Sequence, residues 1–207
     1  MRVLLEDPAL IAVDKPAGLL AVPGRGADKQ DCLWLRVRER WPDALVVHRL
    51  DMATSGLMLF ARGAQMQRHL SRSFASRQVD KRYVAIVAGH MSAAAGRIEL
   101  PLMADWPRRP LQKVDSAQGK PSITDWQLLG FDESQQAARL ALQPLTGRTH
   151  QLRVHLAAIG HPIFGDALYA PPAVLARADR LLLHAHALQF AHPLDGRMLQ
   201  LRCEPPF

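Results

Sequence analysis

Apolar and polar positions change in short runs along this chain, and the periods of those runs predict the elements. Residues 10–14 form a brief apolar run stopped by Lys15-Pro16-Ala17-Gly18, the pattern of a buried strand. Residues 31–40 predict a helix with Asp31 at its start, bounded by Pro42. Residues 45–47 and 56–61 read as strands, so the polar stretch 48–55 between them falls in a loop where side chains can converge. Within 64–76, Met66, Leu70 and Phe74 recur every four residues, as in a helix that buries one face and leaves its arginines on another. Alternation and β-branched side chains predict further strands at 82–88, 98–100, 123–129 and 137–142. Residues 151–159 read as a helix with Leu152, Leu156 and Ile159 on one side and Gly160 placed to end it. Residues 188–191 and 198–202 flank an Asp195-Gly196 pair that suits a hairpin turn. Helices and strands do not alternate regularly and many connections are short. An α+β fold with a mixed, mainly antiparallel sheet therefore fits better than a doubly wound parallel one. Residues 106–119, with two prolines and several charges, are either a junction between lobes or a long functional loop.

Composition narrows the class. With 207 residues, 48% hydrophobic and 22% charged, the chain should fold as one domain or two small lobes. No apolar run approaches the ~18 to 20 residues of a membrane span, and residues 181–191 are interrupted by two histidines. Glu6, Asp7 and Asp14 do not fit a signal peptide, so a cytoplasmic protein is expected. Cys32 and Cys203 have no paired spacing, which leaves neither a disulfide framework nor a cysteine zinc cluster.

Lys and Arg number 26 against 19 Asp and Glu, a net charge of +7 that favours an anionic partner. Residues 1–113 hold 18 basic and 11 acidic side chains and residues 114–207 hold 8 of each, which suggests a basic face. Residues 62–82 carry Arg62, Arg68, Arg72, Arg77, Lys81 and Arg82 against Asp80 alone. By itself such a run is equally well a solvated helix face or a nucleic-acid contact.

Two polar segments could carry chemistry. His48-Arg49-Leu50-Asp51-Met52-Ala53-Thr54-Ser55-Gly56 gathers a histidine, an arginine, a carboxylate and two hydroxyls between apolar strands. A loop capped by Asp51 and Thr54 would have the same composition. A Ser-His-Asp relay is disfavoured, because no Gly-x-Ser-x-Gly elbow surrounds Ser55 and the three groups crowd one loop. The second segment, Thr146-Gly147-Arg148-Thr149-His150-Gln151, leads into a predicted helix, whose start attracts anions. His150 and His155 lack a helical zinc spacing, His184 and His186 read as core or cleft histidines, and no phosphate-loop or dinucleotide glycine pattern occurs. No metal and no cofactor are expected.

The order of the motifs is more specific than any one of them. HRLDMATSGLMLFA from His48 resembles the signature segment of the RluA-type pseudouridine synthases. IAVDKPAGLLAVPG from Ile11, KRYVAIVAG from Lys81, PLTGRTHQLRVHL from Pro144, GHPIFGDALY from Gly160 and LLLHAHALQFAHP from Leu181 resemble that family in the same order. The resemblance implies a single catalytic domain of two lobes around a central active-site cleft, built on a mixed, mainly antiparallel sheet. It implies isomerisation of uridine to pseudouridine in RNA with no cofactor consumed. By motif match Asp51 would be the catalytic carboxylate, with the atom it attacks left open. Arg148 would pair with it and hold it ionised, and Tyr83 would stack on the target base and could take the carbon 5 proton. Arg49 would act on the RNA, filling space left by the extruded base. His48, Arg62, Arg68, Arg72, Arg77 and Lys81 complete the expected RNA contacts. DWPRRPLQKV from Asp105, together with only fourteen residues before Lys15, resembles the short branch acting on both ribosomal and transfer RNA. That branch has no separate N-terminal RNA-binding domain, and the expected substrates are stem-loops of large-subunit ribosomal RNA and of the tRNA anticodon arm, met by a monomer. A non-catalytic RNA-binding protein and, less well, a nucleoside or ester hydrolase remain as alternatives.

Overall fold

The computed structural model describes residues 1–207. In chain order the elements are β1 (Arg2–Glu6), β2 (Leu10–Lys15), α1 (Leu33–Arg40), β3 (Ala44–Val46), β4 (Ser55–Arg62), α2 (Gly63–Ala75), β5 (Asp80–Ala88) and β6 (Ala95–Glu99). There follow β7 (Leu102–Ala104), β8 (Gln112–Val114), β9 (Ile123–Asp132), β10 (Ala137–Pro144), α3 (Gln151–Ala158), α4 (Pro172–Leu175), β11 (Leu183–Ala191) and β12 (Met198–Arg202). The α+β class with a mainly antiparallel sheet is as expected. The chain divides into two compact units, Met1–Lys81 with His184–Pro206, and Arg82–Leu183 with Phe207.

In the first unit β4 is the central strand. One edge takes β2 antiparallel from Leu10↔Ala61 to Lys15↔Gly56. Its other edge takes β11 in parallel at Ser55 and Gly56, and β3 antiparallel at Phe60–Arg62. β1 extends the sheet beyond β2, and β12 beyond β11. Pairing on both edges explains why β4 reads as an unbroken apolar run: Leu57, Met58, Leu59, Phe60 and Ala61 are all buried. Leu10, Leu57, Leu59, Leu188 and Phe190 form one core with Met66 and Leu70 of α2, the predicted four-residue stripe, and Phe74 packs against it half-buried. Gly56, at φ 111°, sits where β4 meets β11, and any side chain there would collide with the Ala185 backbone.

The helix ends differ from the sequence reading in an instructive way. α1 begins at Leu33, and Asp31 does not cap it but pairs with Arg36, which holds the Asp31 carboxyl below its usual range. The first helical N–H groups, of Leu33 and Trp34, are already taken by the carbonyls of Leu20 and Ala21, at 2.8 and 3.2 Å. α2 closes with a Schellman pattern, Gln78 N–H to Ser73 O and Arg77 N–H to Phe74 O, with Arg77 in the left-handed region at φ 62°.

In the second unit the sheet runs β5-β10-β9-β6, antiparallel throughout. Tyr83, Leu142, Trp126 and Gly96 lie in register on one row across these strands. α3 is buried nearly all round, at Gln151, Leu152, Arg153, Val154, His155 and Leu156, while Ile159 is exposed. The one-sided apolar face predicted for it is therefore corrected. Residues 106–119 are no junction between lobes: they lie inside the second unit, and β8 from this stretch pairs with β7. The basic excess is likewise not confined to one part, with 15 basic and 11 acidic side chains in the first unit and 11 and 8 in the second.

Candidate active site

The loop at residues 47–54 connects β3 to β4 in the first unit. Leu50 is buried and anchors it, while Arg49 and Met52 are exposed and Asp51 is half-buried. A tight turn follows, closed by Thr54 N–H to Asp51 O at 3.1 Å. Behind the turn lies Lys15, which is 0% exposed. Its ammonium donates to the carbonyls of Pro16, Leu19 and Met52 at 2.9, 2.7 and 3.0 Å, so all three donors of a buried cation are satisfied. The Met52 carbonyl also accepts from Gly18 N–H at 2.9 Å. The residue next to Asp51 is thus pinned twice to the β2 end of the chain. The sequence reading had Lys15-Pro16 only as the stop of a strand; its use as a prop for the carboxylate loop was missed.

His48 is committed to its own unit. Its Nε2 accepts the Leu59 N–H at 2.9 Å, and its ring stacks on Phe74 with centroids 4.4 Å apart. Burial, helped by the nearby Lys81 charge, pushes its pKa down to about 3. A neutral ring with its acceptor nitrogen in use fixes the start of the loop and is no cation for phosphate. Because the folded state keeps His48 neutral while the unfolded chain protonates it below about pH 6.5, this group favours folding above that pH. Its contribution falls as pH drops from 6.5 toward 3, by at most about 1.4 kcal/mol per pH unit. Imidazole NMR at pH 5 should show His48 unprotonated, and a titration midpoint near 6.5 would contradict this role.

Of the expected basic contacts, Arg68 and Arg72 lie one turn apart on the exposed face of α2, and Arg77 is exposed just beyond it. None of these three makes an ion pair, and neither does the exposed Arg49. Arg62 is different, since its Nε pairs with Asp43 at 3.0 Å. Lys81 is half-buried, and burial followed by the Arg77 charge lowers its pKa.

The other expected site residues belong to the second unit. Tyr83 is a half-buried residue of β5. Arg148 precedes α3, and its guanidinium donates from Nε and Nη2 to the Pro121 carbonyl, 3.3 Å each. The loop that carries it is built by Gln151, whose Oε1 accepts from Arg148 N–H at 3.0 Å and from Thr146 Oγ at 2.8 Å. Gln151 Nε2 donates to Thr124 Oγ, which in turn faces His155 Nδ1 at 3.0 Å. His155 Nε2 meets the Leu100 carbonyl at 3.0 Å, and burial lowers the His155 pKa. One neutral relay therefore ties the Arg148 backbone to β9 and to the end of β6. The first N–H of α3, that of Gln151, donates to the Arg148 carbonyl at 3.2 Å.

Asp14, His184 and Cys203 could offer ligand atoms within 4.8 Å of one another. Both His184 nitrogens are already engaged, however, with Ser55 Oγ at 2.8 Å and the Cys203 carbonyl at 3.1 Å. Burial raises the Cys203 thiol to about 11. This donor set suits a closed hydrogen-bond knot better than a cation.

A loop carboxylate held rigidly from behind can stabilise or trap a cationic sugar, and a half-buried tyrosine can stack on a base. Comparison with known proteins points the same way. Residues 9–158 match the RNA pseudouridylate synthase family. A protein of Yersinia pestis named dual-specificity RNA pseudouridine synthase RluA is 46% identical over 207 residues, covering 100% of both chains. The protein of that name from Vibrio cholerae is 50% identical over 191 residues, 92% of this chain and 77% of its own length. Among solved structures, human RNA pseudouridylate synthase domain containing 1 is 30% identical with a TM-score of 0.82, covering 100% of this chain and 84% of its own.

Proposed function

This chain belongs to the RNA pseudouridylate synthase family, an isomerase family, and on that premise we propose that it modifies stem-loops of both large-subunit ribosomal RNA and the tRNA anticodon arm. Asp51, Tyr83 and Arg148 are its catalytic residues in this reading. The observation that carries it is the Asp51 turn, whose backbone is held against the buried Lys15 ammonium before any substrate arrives. The dual specificity in the names of relatives 46% identical over the whole chain supports two RNA classes.

In the reaction the bond from the sugar to the base nitrogen breaks and one from the sugar to carbon 5 of the same base forms. The carbon 5 proton is lost and the nitrogen gains one, so no oxidant, metal or cofactor is consumed. Glycosidic cleavage builds positive charge on the sugar, which the Asp51 carboxylate stabilises or captures. Arg148 contributes its guanidinium to the reaction in this reading. Tyr83 stacks on the target base, and its hydroxyl serves in removing the carbon 5 proton. Because the base must be retained and reattached, the site has to exclude water rather than activate it. The protein acts as a cytoplasmic monomer, with all 207 residues in one catalytic domain.

Tritium release from uridine labelled at carbon 5 tests this directly in short synthetic stem-loops of both classes. Release from both is expected; free uracil in place of pseudouridine, or no release from either, would overturn the proposal. RNA affinity rests on Arg49, Arg68, Arg72 and Arg77, four exposed arginines without carboxylate partners, whereas Arg62 is held by Asp43. Replacing Arg68, Arg72 and Arg77 together by glutamine should weaken binding at least about tenfold and reduce the slope of log K against log salt by about 2 to 3. An unchanged salt slope would remove α2 from the RNA-binding surface.

A further inference from the structure

Trp106 is 62% exposed and is the only aromatic side chain among the large exposed hydrophobics. A single exposed leucine or methionine needs no explanation, but an exposed indole leaves much apolar surface in water. Here the indole is not loose. The Arg109 guanidinium lies 3.6 Å over its ring, and no carboxylate pairs with that arginine. Two planar π surfaces are already stacked, one of them cationic.

The backbone that presents them is closed on itself. Trp106–Arg108 form a short 3-10 turn, with Arg108 N–H to Asp105 O at 3.0 Å, Leu111 N–H to Arg108 O at 2.9 Å and Asp105 N–H to Leu111 O at 2.9 Å. Asp105 is buried and binds Arg108 from both Nε and Nη2, at 2.7 and 2.6 Å. The turn is also tethered: Gln112 N–H donates to the Tyr169 hydroxyl at 2.9 Å, and that hydroxyl lies 2.6 Å from His150 Nδ1. His150 is two residues from Arg148. The exposed stack is therefore carried on a braced turn joined by two hydrogen bonds to the loop of a proposed catalytic residue.

We propose that the Trp106–Arg109 stack is a platform for one unpaired nucleotide of the RNA substrate other than the target uridine. Unstacked bases in RNA loops stack on aromatic and guanidinium planes, and a base added to an existing stack needs no rearrangement of the protein. The uncompensated Arg109 charge meets the adjoining phosphate. The platform rests on the RNA-modifying reading given above and adds a residue that selects the loop.

The test compares Trp106→Ala, Trp106→Phe and Arg109→Ala with the wild-type chain in steady-state tritium release from a stem-loop substrate. Because Trp106 is exposed, all three should keep the wild-type circular dichroism and unfolding midpoint. Trp106→Ala should raise KM about tenfold with kcat within about threefold, as expected for loss of one stacked base, and Trp106→Phe should recover most of that loss. A stem-loop carrying 5-iodouridine at its unpaired positions should crosslink on irradiation to the peptide containing Trp106. An unchanged KM for Trp106→Ala, or crosslinks confined to other peptides, overturns the platform and leaves the exposed indole to some other partner. No release by the wild-type chain from any RNA would instead overturn the proposed function.

Discussion

An Asp51→Asn protein is expected to lose isomerase turnover by about 10⁴-fold or more while binding its stem-loop within about tenfold of wild type. The amide keeps the size of the carboxylate and leaves the turn intact, since Thr54 N–H bonds the Asp51 backbone carbonyl and Lys15 bonds that of Met52. What disappears is the negative charge available to a cationic sugar. Affinity is expected to survive, because in the proposed reading phosphate contacts supply most of it and come from arginines elsewhere. Single-turnover tritium release and filter binding on the same preparation separate the two effects, with mass spectrometry confirming that the amide has not reverted to acid. Turnover within about tenfold of wild type would remove Asp51 from the chemistry.

The second large effect is on stability. Arg153 of α3 and Asp166 form a bidentate pair at 2.6 and 2.8 Å with side chains 4% and 1% exposed. Asp166 also accepts the N–H groups of Leu168 and Tyr169, at 2.9 and 3.2 Å. It therefore shapes the turn that brings the Tyr169 hydroxyl to His150. Asp166→Ala strips two charge-assisted bonds from a buried guanidinium and two acceptors from the backbone at once. Removing one partner of a buried pair costs about 3 to 5 kcal/mol, far more than the loss of a solvent-screened exposed pair such as Arg36–Asp31. Urea unfolding should show that loss as a lower midpoint at unchanged slope. A change below about 1 kcal/mol would mean that the pair is solvated in solution. Because Gln112 N–H also bonds Tyr169, the same variant should loosen the Trp106 turn, and its KM should rise together with its loss of stability.

The two effects differ in kind. Asp51 sits on a half-buried turn, where a change of charge is expected to cost chemistry and little stability. Asp166 is buried, and the reverse holds. The aspartates of this chain thus sort by surroundings rather than by residue type: Asp31, Asp125 and Asp132 are exposed or part-exposed carboxylates held below their usual range by local hydrogen bonds.

Much of this protein was legible along the chain. The unbroken apolar run of β4, the four-residue stripe of α2, the alternation of β10 and the Asp195-Gly196 turn between β11 and β12 each report a local period, and periodicity is a local property. The ordered motifs also placed the family and the loop bearing Asp51. Tertiary structure decided the rest. Lys15 meets Met52 across 37 residues and Ser55 meets His184 across 129. The N-terminal donors of α1 are taken by the carbonyls of Leu20 and Ala21, so Asp31 was free to pair with Arg36. His48 carries the composition of an RNA contact, yet it accepts a backbone N–H and stacks on Phe74. α3 is apolar and polar by turns along its length and still buried almost all round, because Gln151, Arg153 and His155 each find a distant partner inside the second unit. A polar side chain looks the same in sequence whether it will face water or a buried acceptor. Which of the two it meets depends on backbone carbonyls and side chains that only the folded chain brings near it.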